Sequence, residues 1–140
     1  ANIVPDSFKE ELFEAIHDFT ASTGDTFKLA LYSTVTGFSA ASTTAYTTKN
    51  EVSGTGYTAT GASLTNLGST VAQNISFVDF SDVTFSTATI TASAALIYNT
   101  TNSSKAVVVL DFGGSKTSTN GDFTIQFPAA NSTSAIIRIS

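Results

Sequence analysis

Two apolar runs separated by a polar turn dominate the middle of the chain. Ala94-Ala95-Leu96-Ile97-Tyr98 and Ala106-Val107-Val108-Val109-Leu110 flank Asn99-Thr100-Thr101-Asn102-Ser103-Ser104. Neither run alternates with polar residues, which predicts strands covered on both faces. β-Branched valine and isoleucine favour strand over helix. Asn and Ser form turns because their side chains hydrogen-bond the local backbone and Asn tolerates left-handed angles. The pattern predicts a β-hairpin at the centre of the core, with the rest of the chain packed around it.

Only one stretch reads as a helix, Ser7 to Phe19. Ser7 and Glu10 have the spacing of a capping box, in which the two side chains satisfy free amides at a helix start. Phe8, Leu12, Ile16 and Phe19 recur at helical spacing with Phe13 beside them, and Glu10, Glu11, Glu14 and Asp18 are expected outside. The remaining pattern has period two. Phe27 to Tyr32 reads as a strand, Thr43 to Thr48 as a short edge strand and Gly61 to Leu67 as a weak one. Asn74 to Phe80 alternates, Asp79 to Asp82 turns, and Val83 to Phe85 is short. Thr87 to Tyr98 alternates cleanly and runs into the hairpin. Gly113 to Asp122 reads as a loop, Phe123 to Phe127 as a strand closed by Pro128, and Ala135 to Ile139 as a last strand. Ser22 to Phe27 and Ser118 to Phe123 look like one turn-into-strand device used twice. Strands at roughly 8–12-residue spacing predict a mainly β fold, an antiparallel β-sandwich of jelly-roll type led by one amphipathic α-helix. One domain over 1–140 is expected, with a helix segment over 1–20 and the sandwich over 26–140.

Composition narrows the function classes. At 140 residues the chain buries enough surface for a core without covalent staples. It has no cysteine, so disulfides, thiolate metal sites and cysteine nucleophiles are excluded. The net charge of −5 argues against nucleic acid or an anionic membrane as partner. Charged residues make up only 12 %, so Ser and Thr rather than ions must wet the surface. No apolar run approaches the ~18–20 residues of a membrane span, and the N-terminus lacks the basic-then-apolar pattern of a signal peptide.

The candidate chemistry is thin. His17 is the single histidine; a solvated or edge-packed ring is the expectation, since one histidine alone cannot complete a catalytic or metal set. Asp79, Asp82, Asp111 and Asp122 sit at strand ends without the close carboxylate spacing of a calcium loop, and read as turn caps. Gly54-Thr55-Gly56 has no following helix or Lys-Ser/Thr, which makes it a tight turn and not a phosphate loop. Asn74, Asn99, Asn102 and Asn131 match glycosylation acceptors by composition. Tyr46, Tyr57 and Tyr98 with Ser/Thr-rich loops are the material for a carbohydrate surface. No catalytic, cofactor or metal residues are assigned, no cofactor is expected, and the chain is read as non-enzymatic.

Two groups of segments carry a resemblance. Phe27 to Tyr32, Thr43 to Thr47 and Asn50 to Thr58 form the first. Ala95 to Asn99, Val109 to Gly113, Lys116 to Thr119 and Gly121 to Pro128 form the second. Together, across nearly the whole chain, they resemble small virion structural proteins of tailed bacteriophages. The resemblance implies a capsid decoration or cement protein at the virion surface. It would bind the major capsid protein from outside, stabilise the shell and assemble as a homotrimer, with neither nucleic acid nor membrane as partner. It supplies no catalytic motif. A tail, collar or fibre-associated role, or a carbohydrate- or receptor-binding sandwich, is the alternative. Phe8, Leu12, Phe13, Ile16 and Phe19 are the expected capsid or oligomer contacts, because a terminal segment with an apolar stripe is free to reach a partner.

Overall fold

A computed structural model describes residues 1–140. One helix, α1 (Asp6–Phe13), precedes seven strands: β1 (Phe27–Tyr32), β2 (Ala62–Ser63), β3 (Asn66–Ala72), β4 (Ile75–Phe80), β5 (Val83–Asn99), β6 (Lys105–Ile125) and β7 (Ile137–Ile139). All pairings are antiparallel. One sheet has the order β2-β1-β5-β6 and the other β3-β4-β7. The fold is mainly β, in a sandwich-like arrangement of two sheets.

The central hairpin exists and is longer than its apolar pattern. Asn99 Oδ1 accepts from the Thr101 and Asn102 amides at 3.0 and 3.2 Å, closing the turn with its side chain. Ser103 and Ser104 complete it in left-handed conformations. Ala94 to Tyr98 and Ala106 to Leu110 are buried on both faces. Leu29, Leu31, Ala95, Ile97, Val108 and Leu110 face the main core, which also takes Phe8, Val78, Phe80 and Ile137. Ala30, Tyr32, Leu96, Tyr98 and Val109 face the opposite way, under Ile3, Val35, Phe38 and Tyr46. A segment without regular structure, Ser33 to Thr60, thus serves as the third layer over this sheet.

Gly113 to Asp122, expected as a loop, is strand. It pairs with the outer half of β5, placing Thr117 opposite Thr91 and Phe123 opposite Phe85. The polar, glycine-containing sequence fits there because this half of the hairpin exposes one face. Hydroxyls meet across it at Thr84–Thr124, Thr91–Thr117 and Ser93–Ser115, 2.9–3.1 Å apart. Register shifts absorb the extra residues, the largest between Asp111 and Lys116, where Gly113 takes a positive φ. Ser118 to Phe123 is therefore an irregular strand and does not share a turn device with Ser22 to Phe27.

Other expectations shift by a few residues. Thr43 to Thr48 makes a single bridge, Ala45 with Lys105, and no strand. β6 ends at Ile125 and β7 begins at Ile137. Val83 to Tyr98 belongs to one continuous strand. Gly54-Thr55-Gly56 does form a tight turn: Gly54 bridges to Tyr57 and Thr55 to Thr89. Gly56 has φ +82, and a Cβ there would lie 2.7 Å from Ala88 Cα, so only glycine fits without strain.

Candidate functional site

The helix stops at Phe13, six residues short of the expected end. Glu14 caps it and Ala15 takes a left-handed φ of 58°. The Ile16 amide donates to Glu11 O and the Ala15 amide to Leu12 O, the bond pair of a Schellman ending. The capping box does not form: Pro5 holds the N-cap position, and Ser7 Oγ donates instead to Thr43 O. Reversing at Ala15 carries His17 back beneath Phe8 and against the hairpin turn.

His17 is buried rather than solvated, its ring 5.0 Å from that of Phe8. Asn99 Nδ2 donates to His17 Nδ1 at 3.0 Å and to Asp25 Oδ2 at 2.7 Å. Because Asn99 Oδ1 already accepts two turn amides, its orientation is fixed, and His17 Nδ1 must accept. The proton then sits on Nε2, which donates to Glu11 Oε1 at 3.1 Å. Lys105 Nζ lies 3.2 Å from Glu11 Oε2. Asn102 Nδ2 reaches both Ile16 O and Asp25 Oδ2. Glu11, expected to face solvent, is thus an inward carboxylate between a histidine and a lysine. This chain of bonds ties the N-terminal segment to the β5–β6 turn.

A second convergence was not legible from sequence. All four tyrosines surround Glu51. Tyr46 OH and Tyr57 OH donate to its two carboxylate oxygens at 2.5 and 2.7 Å, and the Thr60 amide adds a third bond at 2.8 Å. Tyr32 OH donates to Thr47 O and Tyr98 OH to Thr60 O. Burial, with the Glu51 charge behind it, pushes the Tyr46 phenol up to about 12 and holds Tyr32 and Tyr57 higher still. These bonds fasten the Ser33–Thr60 segment to the sheet. Of the three tyrosines considered for a carbohydrate surface, Tyr57 and Tyr98 are buried, and Tyr46, half-buried, stacks one face on Tyr98 with ring centroids 4.8 Å apart. Asn99 is fully buried and closed to glycosylation.

Three of the four carboxylates expected to cap turns accept backbone amides, and Asp79 accepts none. Asp82 accepts from Phe127 N, Asp111 from Gly113 N and Asp122 from Thr87 N. No three His, Asp or Glu side chains come together in a group able to hold a metal ion.

What stands out at the surface is apolar. The large exposed hydrophobic residues are Val4, Phe13, Leu67, Val71 and Ile139. Three of them, Val4, Phe13 and Ile139, line one groove of about 650 Å³ between α1 and β7, together with Leu12 and Ile136. Phe13 is 95 % exposed. Lys9 and Arg138 stand at the same groove, and β7 is an edge strand. Of the five expected contact residues, Phe8 lies in the core, Leu12, Ile16 and Phe19 are half-buried, and Phe13 is free. Phe19 stacks on Phe27 at 4.8 Å. No protein-family model, curated protein or solved structure matches this chain. The surface itself must therefore carry the functional argument. Exposed apolar side chains gathered beside an unpaired strand edge are features that many protein–protein interaction surfaces share.

Proposed function

We propose that this chain is a non-enzymatic virion structural protein of a tailed bacteriophage, decorating the outer capsid surface and stabilising the shell. The phage assignment rests on the sequence resemblance, carried by segments from Phe27 to Pro128. A docking role in place of a catalytic one is supported by a single observation: three exposed large apolar side chains converge on the α1–β7 groove. The ionisable groups that could do chemistry are meanwhile spent on internal bonds. His17 and Glu11 hold the N-terminal segment, and Glu51 holds the loop layer. Assembly into a shell needs a rigid body with adhesive faces, and buried apolar area supplies the binding free energy.

The test is co-sedimentation of the purified chain with cognate capsids that lack it, paired with gold labelling of intact virions. Saturable binding, label on heads and greater resistance of the shell to heat are expected. Label confined to tails, or absence of binding, overturns the decoration reading. Selective binding on a glycan array overturns it in favour of a carbohydrate-binding module.

A further inference from the structure

We propose that the α1–β7 groove is an interface between two copies of this chain, paired about a two-fold axis, with Phe13 of each copy seated in the groove of the other. The inference rests on the docking reading and names the occupant of that face. A groove with apolar walls and two cations at its edge selects an apolar knob flanked by acids. The chain displays that element itself: Phe13 projects from the end of α1 with Glu10 and Glu14 exposed beside it, and neither glutamate has an ion-pair partner within the molecule. Arg138, the single arginine, donates to Ser132 O and meets no carboxylate. Lys9 is already paired with Asp6 at 2.8 Å on its own helix, so Arg138 is the cation left to answer, and pairing would bring Glu10 and Glu14 of one copy toward Arg138 of the other. Overall charge works against random self-contact at −5, so local complementarity of this kind is what association requires.

The symmetry follows from placement. Knob and hole share one patch, since Phe13 itself lines the groove. A self-complementary patch closes as an isologous pair, whereas a ring of three needs knob and hole on separate faces. The outer edge of β7 lies beside the contact without a neighbouring strand.

The experiment is light scattering over a wide dilution series. The expected mass at high concentration is twice 14.5 kDa. Phe13→Ser should weaken pairing by roughly thirtyfold or more, the scale of losing a central anchor, while far-UV circular dichroism stays unchanged. Glu14→Arg and Arg138→Glu should each weaken it, and the double variant should recover part of the loss. A monomer at all concentrations overturns the proposal, as does a trimer or dimer whose mass ignores Phe13→Ser. Capsid co-sedimentation is read separately. Wild-type protein that pairs but never binds capsids refutes the decoration reading alone. A monomer that binds capsids refutes the pairing alone.

Discussion

Removing the Asn99 side chain should cost more than any other single polar deletion in this molecule. Asn99 is fully buried and uses both donors and both acceptor positions: to His17 Nδ1, to Asp25 Oδ2, and from the Thr101 and Asn102 amides. In Asn99→Ala the two turn amides lose about 1 kcal/mol each, because water reaches a surface turn and replaces part of each bond. His17 Nδ1, on a fully buried side chain, is left with no protein donor, at a cost of about 1–3 kcal/mol. Asp25 keeps the Asn102 and Asp18 donors and adds little. The sum is about 3–5 kcal/mol, or roughly 10–15 °C in Tm for a chain of this size. Urea unfolding followed by circular dichroism would measure it. Asn99→Asp sharpens the test. It keeps volume and turn acceptors but sets an oxygen against His17 Nδ1 and the Asp25 carboxylate, so it should be no milder than alanine at neutral pH. A near-wild-type Asn99→Asp protein would refute the network as drawn.

Three further outcomes are expected. Phe8→Ala should lose about 3–5 kcal/mol, because Phe8 is 1 % exposed, whereas Phe13→Ala should cost the isolated monomer no more than about 0.5 kcal/mol; paired thermal melts at a dilution where the protein is monomeric decide this, since pairing itself would raise Tm, and equal losses there would contradict the placement of α1. Gly61→Ala should cost about 2 kcal/mol or more, since a Cβ there would clash with the Leu29 carbonyl and φ is +84°; an unchanged chemical midpoint would contradict the close approach. The tyrosines predict alkaline behaviour. Their folded-state values are raised above the ordinary phenol value near 10, chiefly by burial, with Tyr46 at about 12. The folded state therefore holds these protons more tightly. The resulting stability is complete below pH ~10 and is lost as pH rises through about 12. Absorbance at 295 nm should show ionisation together with unfolding, and four phenols titrating near pH 10 in an intact fold would sink the cluster.

The strands were legible where one signal dominated. Ala94 to Leu110 announced itself because burial on both faces leaves no polar alternation, and Asn99 to Ser104 because its residues suit a turn. Gly113 to Asp122 was not legible. Its glycines, Asn and hydroxyls are loop residues by local preference, and the partner strand that holds them straight begins thirty residues earlier at Val83. The helix end was hidden for a related reason. Schellman endings are usually marked by glycine, and here Ala15 takes the left-handed position. The bonds of His17 to Asn99 and Glu11 are what that reversal secures. Glu51 and its tyrosines were beyond sequence reasoning, because Tyr32, Tyr46, Tyr57 and Tyr98 share no local spacing and meet only once the loop layer lies on the sheet.

The helix shows how one short element can serve both core and surface. At about 100° per residue, Leu12 lies roughly 40° from Phe8, and Glu11 roughly 60° to the other side. Both therefore face inward, and Glu11 enters a buried site only because His17 and Lys105 wait there. Phe13 falls roughly 140° from Phe8, too far around for the core to reach. Glu10 and Glu14 fall on the same outer side. An exposed phenylalanine on the outer side with Lys9, Glu10 and Glu14 is the arrangement that a single apolar stripe from Phe8 to Phe19 would not have produced. A partner that covers this side of α1 would explain why the residue at position 13 is aromatic. Replacing Phe13 with serine separates this account from a purely structural one, because the core loses nothing and only association can change.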